Sequence, residues 1–341
     1  VTPPEIHTRV EIGTIGIPPS AEDLRPAPLP QTVVMNFAKV CNLWCTHCFY
    51  PAVALQREAE GRRDERYLAP SIFAKVVEEV AGWENKPVLR VVSDGEPLLN
   101  PNALDMIEGA TKRGIPTVLT TNGIPLTAPV VERLLNMGID GIDISIDAAT
   151  AEAYGKVRGS RNGYNYYERV ESQVKALIGA KAAHGASCHT KIIVNMIDQP
   201  AVHAEVDRFS RQWSEWGADV VLIRPFHSTS AQTIQEGVSA PSTDVARFPC
   251  KYPFTRLNVG FDGEGHSVVY YCSHDWEEKT VVGSLEGSET LKSIWNGKAM
   301  QEIQRRHLTN DFPADSFCGR CPDWYLGWGK SHHQLVKPQE T

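Results

Sequence analysis

Thr32-Val33-Val34-Met35-Asn36-Phe37, followed shortly by Cys41-Asn42-Leu43-Trp44-Cys45-Thr46-His47-Cys48, is the stretch whose reading decides the fold. Its apolar half is short and rich in β-branched residues, which predicts a buried first strand. The cysteines that follow have three and two residues between them, so one loop can bring three thiolates to one metal centre. Thiolate-rich loops suit iron–sulfur clusters or zinc. A closed structural site needs four ligands. Either a distant residue completes the set, or one coordination position is left for a small molecule.

Working outward, strand-like and helix-like segments alternate from residue 32 to about 225. Strands are expected at 88–92, 116–120, 141–146, 188–196 and 218–223, and helices at 101–113, 128–137, 164–184 and 201–216. Strands that alternate with helices imply an α/β fold with a parallel sheet and right-handed crossovers. Six such strands, fewer than eight, predict a partial (β/α)6 TIM barrel, with a doubly wound sheet as the alternative. In either fold the site lies at the carboxyl ends of the strands, where the cysteine loop follows strand one. Four regions are expected: a Pro-rich extended lead over 1–31, a core over 32–226, a polar linker or lid over 227–248, and a smaller cluster-binding region and tail over 249–341. The last has one clear helix, about 289–306, with Leu291, Ile294, Trp295 and Ile303 at helical spacing.

The chain has 341 residues, a net charge of −7 and 42% hydrophobic residues, as expected of a soluble globular protein. Its Lys and Arg are scattered, which argues against a nucleic-acid partner. No apolar run reaches the ~18 residues of a membrane span and no secretion signal is visible, so a cytoplasmic location is expected. Seven of the eight cysteines fall into two groups with metal-type spacing, which argues against a disulfide scaffold. Cys188 is left over and is expected to be a buried structural thiol. The charged stretch Arg57 to Arg66 is expected to be a solvated loop, and His332 and His333 tail residues.

Cys-x3-Cys-x2-Cys after a first strand, in a chain of βα repeats, resembles the radical S-adenosylmethionine (SAM) superfamily. The resemblance implies that Cys41, Cys45 and Cys48 bind a [4Fe–4S] cluster whose fourth iron chelates SAM, and that reductive cleavage gives a 5′-deoxyadenosyl radical. His47 stands where that family usually has Tyr or Phe, and with Phe49 would pack on the adenine. Ser93-Asp94-Gly95-Glu96-Pro97 resembles the family's Gly-Gly-Glu-Pro segment, in which backbone and Glu engage the SAM ammonium; Asp94 replaces the first glycine. Thr120-Thr121-Asn122-Gly123, Ser145-Ile146-Asp147 and Tyr154 through Arg158-Gly159 also match family patterns. By resemblance Thr121 and Asn122 belong to the cofactor site, Ser145 and Arg158 hold the SAM carboxylate, and Asn195 faces its ribose or methionine.

The second group, Cys250, Cys272, Cys318 and Cys321, supplies four ligands, enough for a closed [4Fe–4S] site or for zinc. After a radical SAM core it resembles the twitch/SPASM extensions that hold auxiliary clusters, and looks like the shorter twitch type with one cluster. Gly265 stands seven residues before Cys272, a departure from the family's Gly-x4-Cys.

These resemblances imply an oxidoreductase that abstracts hydrogen from a carbinol C–H of a small polar substrate, a sugar or aminocyclitol of an antibiotic-type pathway, and passes an electron to the auxiliary cluster. An electron donor such as flavodoxin or ferredoxin is implied. Arg224 is the candidate to touch substrate or assist deprotonation of its hydroxyl, with Asp147, Tyr271 and His227 behind it. A sugar decarboxylase, dehydratase or epimerase and a peptide- or protein-modifying SPASM maturase are the alternatives.

Overall fold

Near-continuous burial along the expected strands marks a sheet covered on both faces. The structure, a computed structural model, describes residues 9–12, 20, 24–62, 65–226, 246–275 and 278–325. Its strands are β1 (Arg9–Ile12), β2 (Thr32–Asn36), β3 (Trp44–Cys45), β4 (Val88–Val92), β5 (Thr117–Thr121), β6 (Gly141–Ser145), β7 (Arg158–Gly159), β8 (Lys191–Asp198), β9 (Val220–Pro225), β10 (Arg256–Phe261), β11 (Ser267–Tyr270) and β12 (Val281–Gly283). The helices are α1 (Tyr50–Ala59), α2 (Pro70–Ala81), α3 (Ala103–Thr111), α4 (Ala128–Asn136), α5 (Ala151–Val157), α6 (Tyr167–His184), α7 (Val206–Trp216), α8 (Tyr252–Thr255), α9 (Leu291–Trp295) and α10 (Lys298–Thr309).

The sheet order is β1-β9-β8-β6-β5-β4-β2-β10-β11-β12, with β3 and β7 paired apart from it. From β2 to β9 the six expected strands are parallel neighbours in chain order. A doubly wound sheet reverses its order at a switch point; this one does not reverse. The sheet also curls. Arg90 on β4 and Arg224 on β9 both reach the carboxylate of Asp143 on β6, at 3.8 and 3.0 Å, across intervening strands. The fold is therefore a partial barrel.

Alternation sorts the side chains into two environments. Val33, Met35, Leu89, Val91, Leu119, Ile142, Ile144, Val194 and Ile223 point outward into one apolar core with the helices. Phe73, Val76, Val77 and Val80 of α2, Leu134 of α4, Val170 and Val174 of α6, and Phe209 and Trp213 of α7 fill its other side. Each such side chain stabilises the fold by about 1.5–3 kcal/mol on burial. Among the described residues, Ile193, Val220 and Leu222 form a separate small cluster, and the inward face also carries Val34 and Val118 beside the polar Arg90, Thr120, Asp143, Asn195 and Arg224.

Several expectations are corrected. The lead contains β1, which pairs in parallel with β9. Helix α1 covers Arg57, so the expected loop begins later. Helix α2 was not anticipated, although Pro70 opens it and its apolar residues stand at helical spacing. The single helix expected at 289–306 is two: Asn296 caps α9, donating to Lys292 O at 2.9 Å, and a Cβ at Gly297 would lie 3.1 Å from Ser293 O. Strands β10 to β12 continue the barrel sheet, β10 pairing in parallel with β2. Among the described residues no helix is long and apolar enough to cross a membrane. Residues 227–245, His227, His332 and His333 lie outside the described residues.

Candidate active site

The cysteine loop leaves the carboxyl end of β2 and is pinned from two sides. On one side β3 pairs with β7, setting Trp44 opposite Gly159 and Cys45 opposite Arg158, and Thr46 N donates to Val157 O at 3.0 Å. On the other, Gly95 N donates to Ala38 O at 2.9 Å and Glu96 N to Val40 O at 2.8 Å. The approach there is so close that a Cβ on Gly95 would sit 1.9 Å from Val40 O. This explains the glycine of the Asp94-Gly95-Glu96 segment. Asp94 has no left-handed backbone and needs no glycine; its carboxylate accepts from Asn36 Nδ2 at 2.6 Å and its N–H donates to Asn36 Oδ1.

Burial dominates the thiols. It raises Cys41, Cys45 and Cys48, the last to about 12, and the Cys45 charge acts further against Cys41 and Cys48. Leu43 N and Tyr50 N donate to the sulfurs of Cys41 and Cys48, each at 3.4 Å. Buried thiols that repel one another as thiolates are stabilised by a cationic metal centre, which is the chemistry of this donor set.

Around the loop stand most of the other expected residues. Glu96 is buried; it accepts from Thr121 Oγ1 at 2.8 Å, Asn122 N at 2.8 Å and Leu98 N at 3.2 Å. Burial raises it to about 7, against the pull of those donors. Asn122 Nδ2 reaches Asn42 Oδ1 at 2.6 Å and lies 3.8 Å from Cys41 Sγ. Across the loop His47 Nε2 is 3.4 Å from Asp147 Oδ2, and its Nδ1 is 3.3 Å from Gln199 Nε2. Both ring nitrogens are thus in polar contact, which fixes the ring more firmly than packing on adenine requires. Phe49 is half-buried at the start of α1.

Arg158 is already engaged by a carboxylate. Its Nε and Nη2 bind Asp147 Oδ2 at 2.7 and 2.6 Å, so a SAM carboxylate would share this guanidinium with Asp147. Asp147 is fully buried, has φ of 60° and accepts from Ile197 N at 2.7 Å. Ser145 Oγ and Asp143 Oδ1 both accept from Asn195 Nδ2, at 3.1 and 2.5 Å. Arg224 Nη2 donates to Asp143 Oδ2; a guanidinium has no acceptor, so Arg224 can bind or orient a substrate but takes no proton from it. Asn42, Asp143 and Gln199 were missed as site residues; Asn42 stands beside Cys41 and Gln199 just past β8, while Asp143 is a carboxylate in the middle of the apolar strand β6.

The second cysteine set lies elsewhere. Cys250, Cys272, Cys318 and Cys321 line one small cavity with Tyr252, Tyr271 and His307. Burial raises Cys250 to about 12 and Cys318 to about 11. Tyr271 Oη is 3.2 Å from Cys318 Sγ, which puts Tyr271 at this cavity and away from the first loop. Among the described residues no three His, Cys, Asp or Glu side chains converge closely enough to hold one ion. Four thiols lining one cavity are a full donor set for a four-cysteine iron–sulfur cluster. Cys188 is half-buried rather than buried.

Comparison with known proteins agrees with this geometry. Residues 35–195 match the radical SAM superfamily and residues 250–322 the iron–sulfur cluster-binding domain SPASM. Mycofactocin maturase MftC of Mycobacterium tuberculosis is 27% identical over 325 residues, covering 86% of this chain and 76% of that protein. An AdoMet-dependent heme synthase of Methanosarcina barkeri is 33% identical over 130 residues, and the match spans only 35% of its length. Among solved structures, Streptococcus suis SuiB bound to precursor peptide SuiA has a TM-score of 0.63 at 13% identity, over 93% of this chain and 75% of that one. BtrN in complex with AdoMet and 2-DOIA has a TM-score of 0.52 at 14% identity, over 82% and 87%. At such identities the likeness is one of fold. The chain belongs to the radical SAM superfamily, binding SAM and a [4Fe–4S] cluster in its core and carrying a SPASM iron–sulfur domain behind it.

Proposed function

We propose that this enzyme oxidises a carbinol C–H of a small polar substrate seated in the barrel interior, between its two cysteine sets. One observation carries the reading. The Cys41 loop follows the carboxyl end of β2, whereas α8, beside Cys250, precedes the amino end of β10, where Arg256 is level with Thr32. The two sets thus stand at opposite ends of strands spanning about 13 Å, four steps of ~3.3 Å. The barrel lumen lies between them.

When bound, the first cluster with SAM would supply a hydrogen-abstracting radical and the auxiliary cluster would take up the electron, the hydroxyl proton passing to solvent. The chain's own residues set the stage for this chemistry. In this reading Cys41, Cys45 and Cys48 hold the first cluster, and Cys250, Cys272, Cys318 and Cys321 the second. Gly95, Glu96, Thr121 and Asn122 form the cradle for the SAM ammonium. Ser145, Asn195 and Arg158 meet the carboxylate and ribose side, with His47 and Phe49 toward the adenine. Arg224 and Asp143 orient the substrate below. An electron donor such as flavodoxin or ferredoxin completes the system.

The test is anaerobic incubation with SAM, a reductant and a panel of sugars, aminocyclitols and peptides. The reading expects a product lighter by two hydrogens and one deoxyadenosine per turnover. A product of unchanged mass carrying solvent hydrogen contradicts it in favour of an epimerase, and loss of CO2 in favour of a decarboxylase. A second reading, a peptide-modifying maturase, is favoured by the likeness to the mycofactocin maturase; turnover of a peptide alone would select it.

A further inference from the structure

Three guanidiniums meet in the barrel interior. Arg90 on β4, Arg224 on β9 and Arg256 at the start of β10 act on a shared region, and the carboxylate among them is Asp143. Asp143 is already engaged: Oδ2 faces Arg224 and Arg90, and Oδ1 accepts from Asn195. Arg256 lies outside that arrangement, stacked 4.0 Å over the Tyr252 ring, with Nη1 3.5 Å from Ser273 Oγ. The Nε atoms of Arg90 and Arg256 are buried and have no hydrogen-bond partner. Leaving such donors unsatisfied costs about 1–3 kcal/mol each, more for charged groups, unless a ligand satisfies them.

Arg90 is perturbed by this crowding. Burial, followed by repulsion from Arg224, pulls its guanidinium down to about 9 although Asp143 acts in the opposite direction. Guanidiniums match planar or tetrahedral oxyanions in bidentate geometry, and a low-dielectric lumen strengthens that match.

We infer that Arg90, Arg224 and Arg256 form an oxyanion subsite in the barrel interior that anchors a carboxylate or phosphate of the substrate. The anchored group lies toward the Tyr252 end of the lumen, with the carbon to be oxidised directed toward the cysteine loop. This deepens the reading of the barrel as the substrate site and rests on it. It also separates substrates within the polar class: an acidic sugar or a phosphorylated molecule fits, whereas a cationic aminocyclitol does not.

The test uses the reconstituted full-length holoenzyme saturated with SAM, without reductant, titrated calorimetrically with inorganic phosphate or acetate at constant ionic strength. Saturable one-to-one binding of at least one anion is expected, with the tighter one identifying phosphate or carboxylate recognition. Arg256→Gln and Arg90→Gln should each weaken it at least tenfold, and Arg256→Lys, which keeps the charge but loses the planar fork, by about three- to tenfold. Iron content and circular dichroism serve as the fold check; a Gln variant that fails it is replaced by the Lys variant at the same position. Absence of saturable binding of either anion to the unmutated protein overturns the inference. So does binding that the Gln variants leave unchanged, or competition between the anion and SAM, which would assign the charge to the cofactor's carboxylate. Because nothing is turned over, failure here leaves the proposed oxidation testable, and failure of that oxidation leaves anion binding measurable.

Discussion

Replacing Gly95 by Ala tests whether the Asp94-Gly95-Glu96 segment holds the cysteine loop in place. The added Cβ would lie 1.9 Å from Val40 O, 2.3 Å from Val40 C and 2.6 Å from Val40 N. All three are backbone atoms, so no side chain can swing aside, and the two segments must separate by about an ångström. That separation breaks Gly95 N to Ala38 O and Glu96 N to Val40 O, each worth about 1 kcal/mol. Overpacking adds about 1–3 kcal/mol, for a total of about 3–5 kcal/mol. Urea unfolding of the metal-free chain should show its midpoint lowered by roughly 1–2 M. After reconstitution the variant should lose most of the iron held by the first loop and keep that of the second set. Gly109→Ala is the control: nothing lies within 4 Å of its added Cβ inside α3, and it should gain about 0.5–1 kcal/mol. A Gly95→Ala protein with the unmutated midpoint and full iron would refute the reasoning.

Arg158→Gln leaves Asp147 as an uncompensated buried carboxylate, with an expected loss of about 3–5 kcal/mol in urea unfolding; adding Asp147→Asn should restore part of it. Glu96, raised to about 7 by burial, binds more protons folded than unfolded between its unfolded value near 4.5 and 7. Stability of the metal-free chain should therefore fall as pH rises through that window, by about 3 kcal/mol in all at ~1.4 kcal/mol per pH unit, and Glu96→Gln should flatten the profile. SAM affinity should move oppositely, rising with pH toward 7 as the carboxylate ionises, with calorimetry reading both proteins. Cys188→Ala should leave iron content and SAM cleavage at the unmutated level, because Cys188 packs against the apolar core and does not line the cavity of the second cysteine set.

What the sequence made legible is what local patterns encode. Strands β2, β4, β5, β6, β8 and β9 announce themselves by apolar runs, and the three-cysteine spacing marks the loop after β2. Helix α2 was equally open to reading, since Ile72, Phe73, Val76, Val77 and Val80 carry its period. The rest depends on pairings between distant residues. Two-residue strands such as β3 and β7 are too short to show any period, yet their pairing positions Cys45 beside Arg158. Strand β10 is defined by its partner β2 from the far end of the chain. Asp147 looked like a weak candidate because nothing near it in sequence reveals that Arg158, His47 and Ile197 N converge on its carboxylate. The arginines inside the barrel were likewise invisible as a group: Arg90, Arg224 and Arg256 belong to different strands, and the order and curl of the sheet bring them together.

The central claim is an open three-cysteine set and a closed four-cysteine set on one chain. Iron and acid-labile sulfide analysis after anaerobic reconstitution tests it most directly, with electron paramagnetic resonance of the reduced protein before and after adding SAM. Two [4Fe–4S] clusters predict about eight irons per chain, falling to about four in Cys318→Ala/Cys321→Ala, with SAM still perturbing the signal that remains. Zinc in either set, or a SAM-sensitive signal that disappears with Cys318 and Cys321, would contradict it.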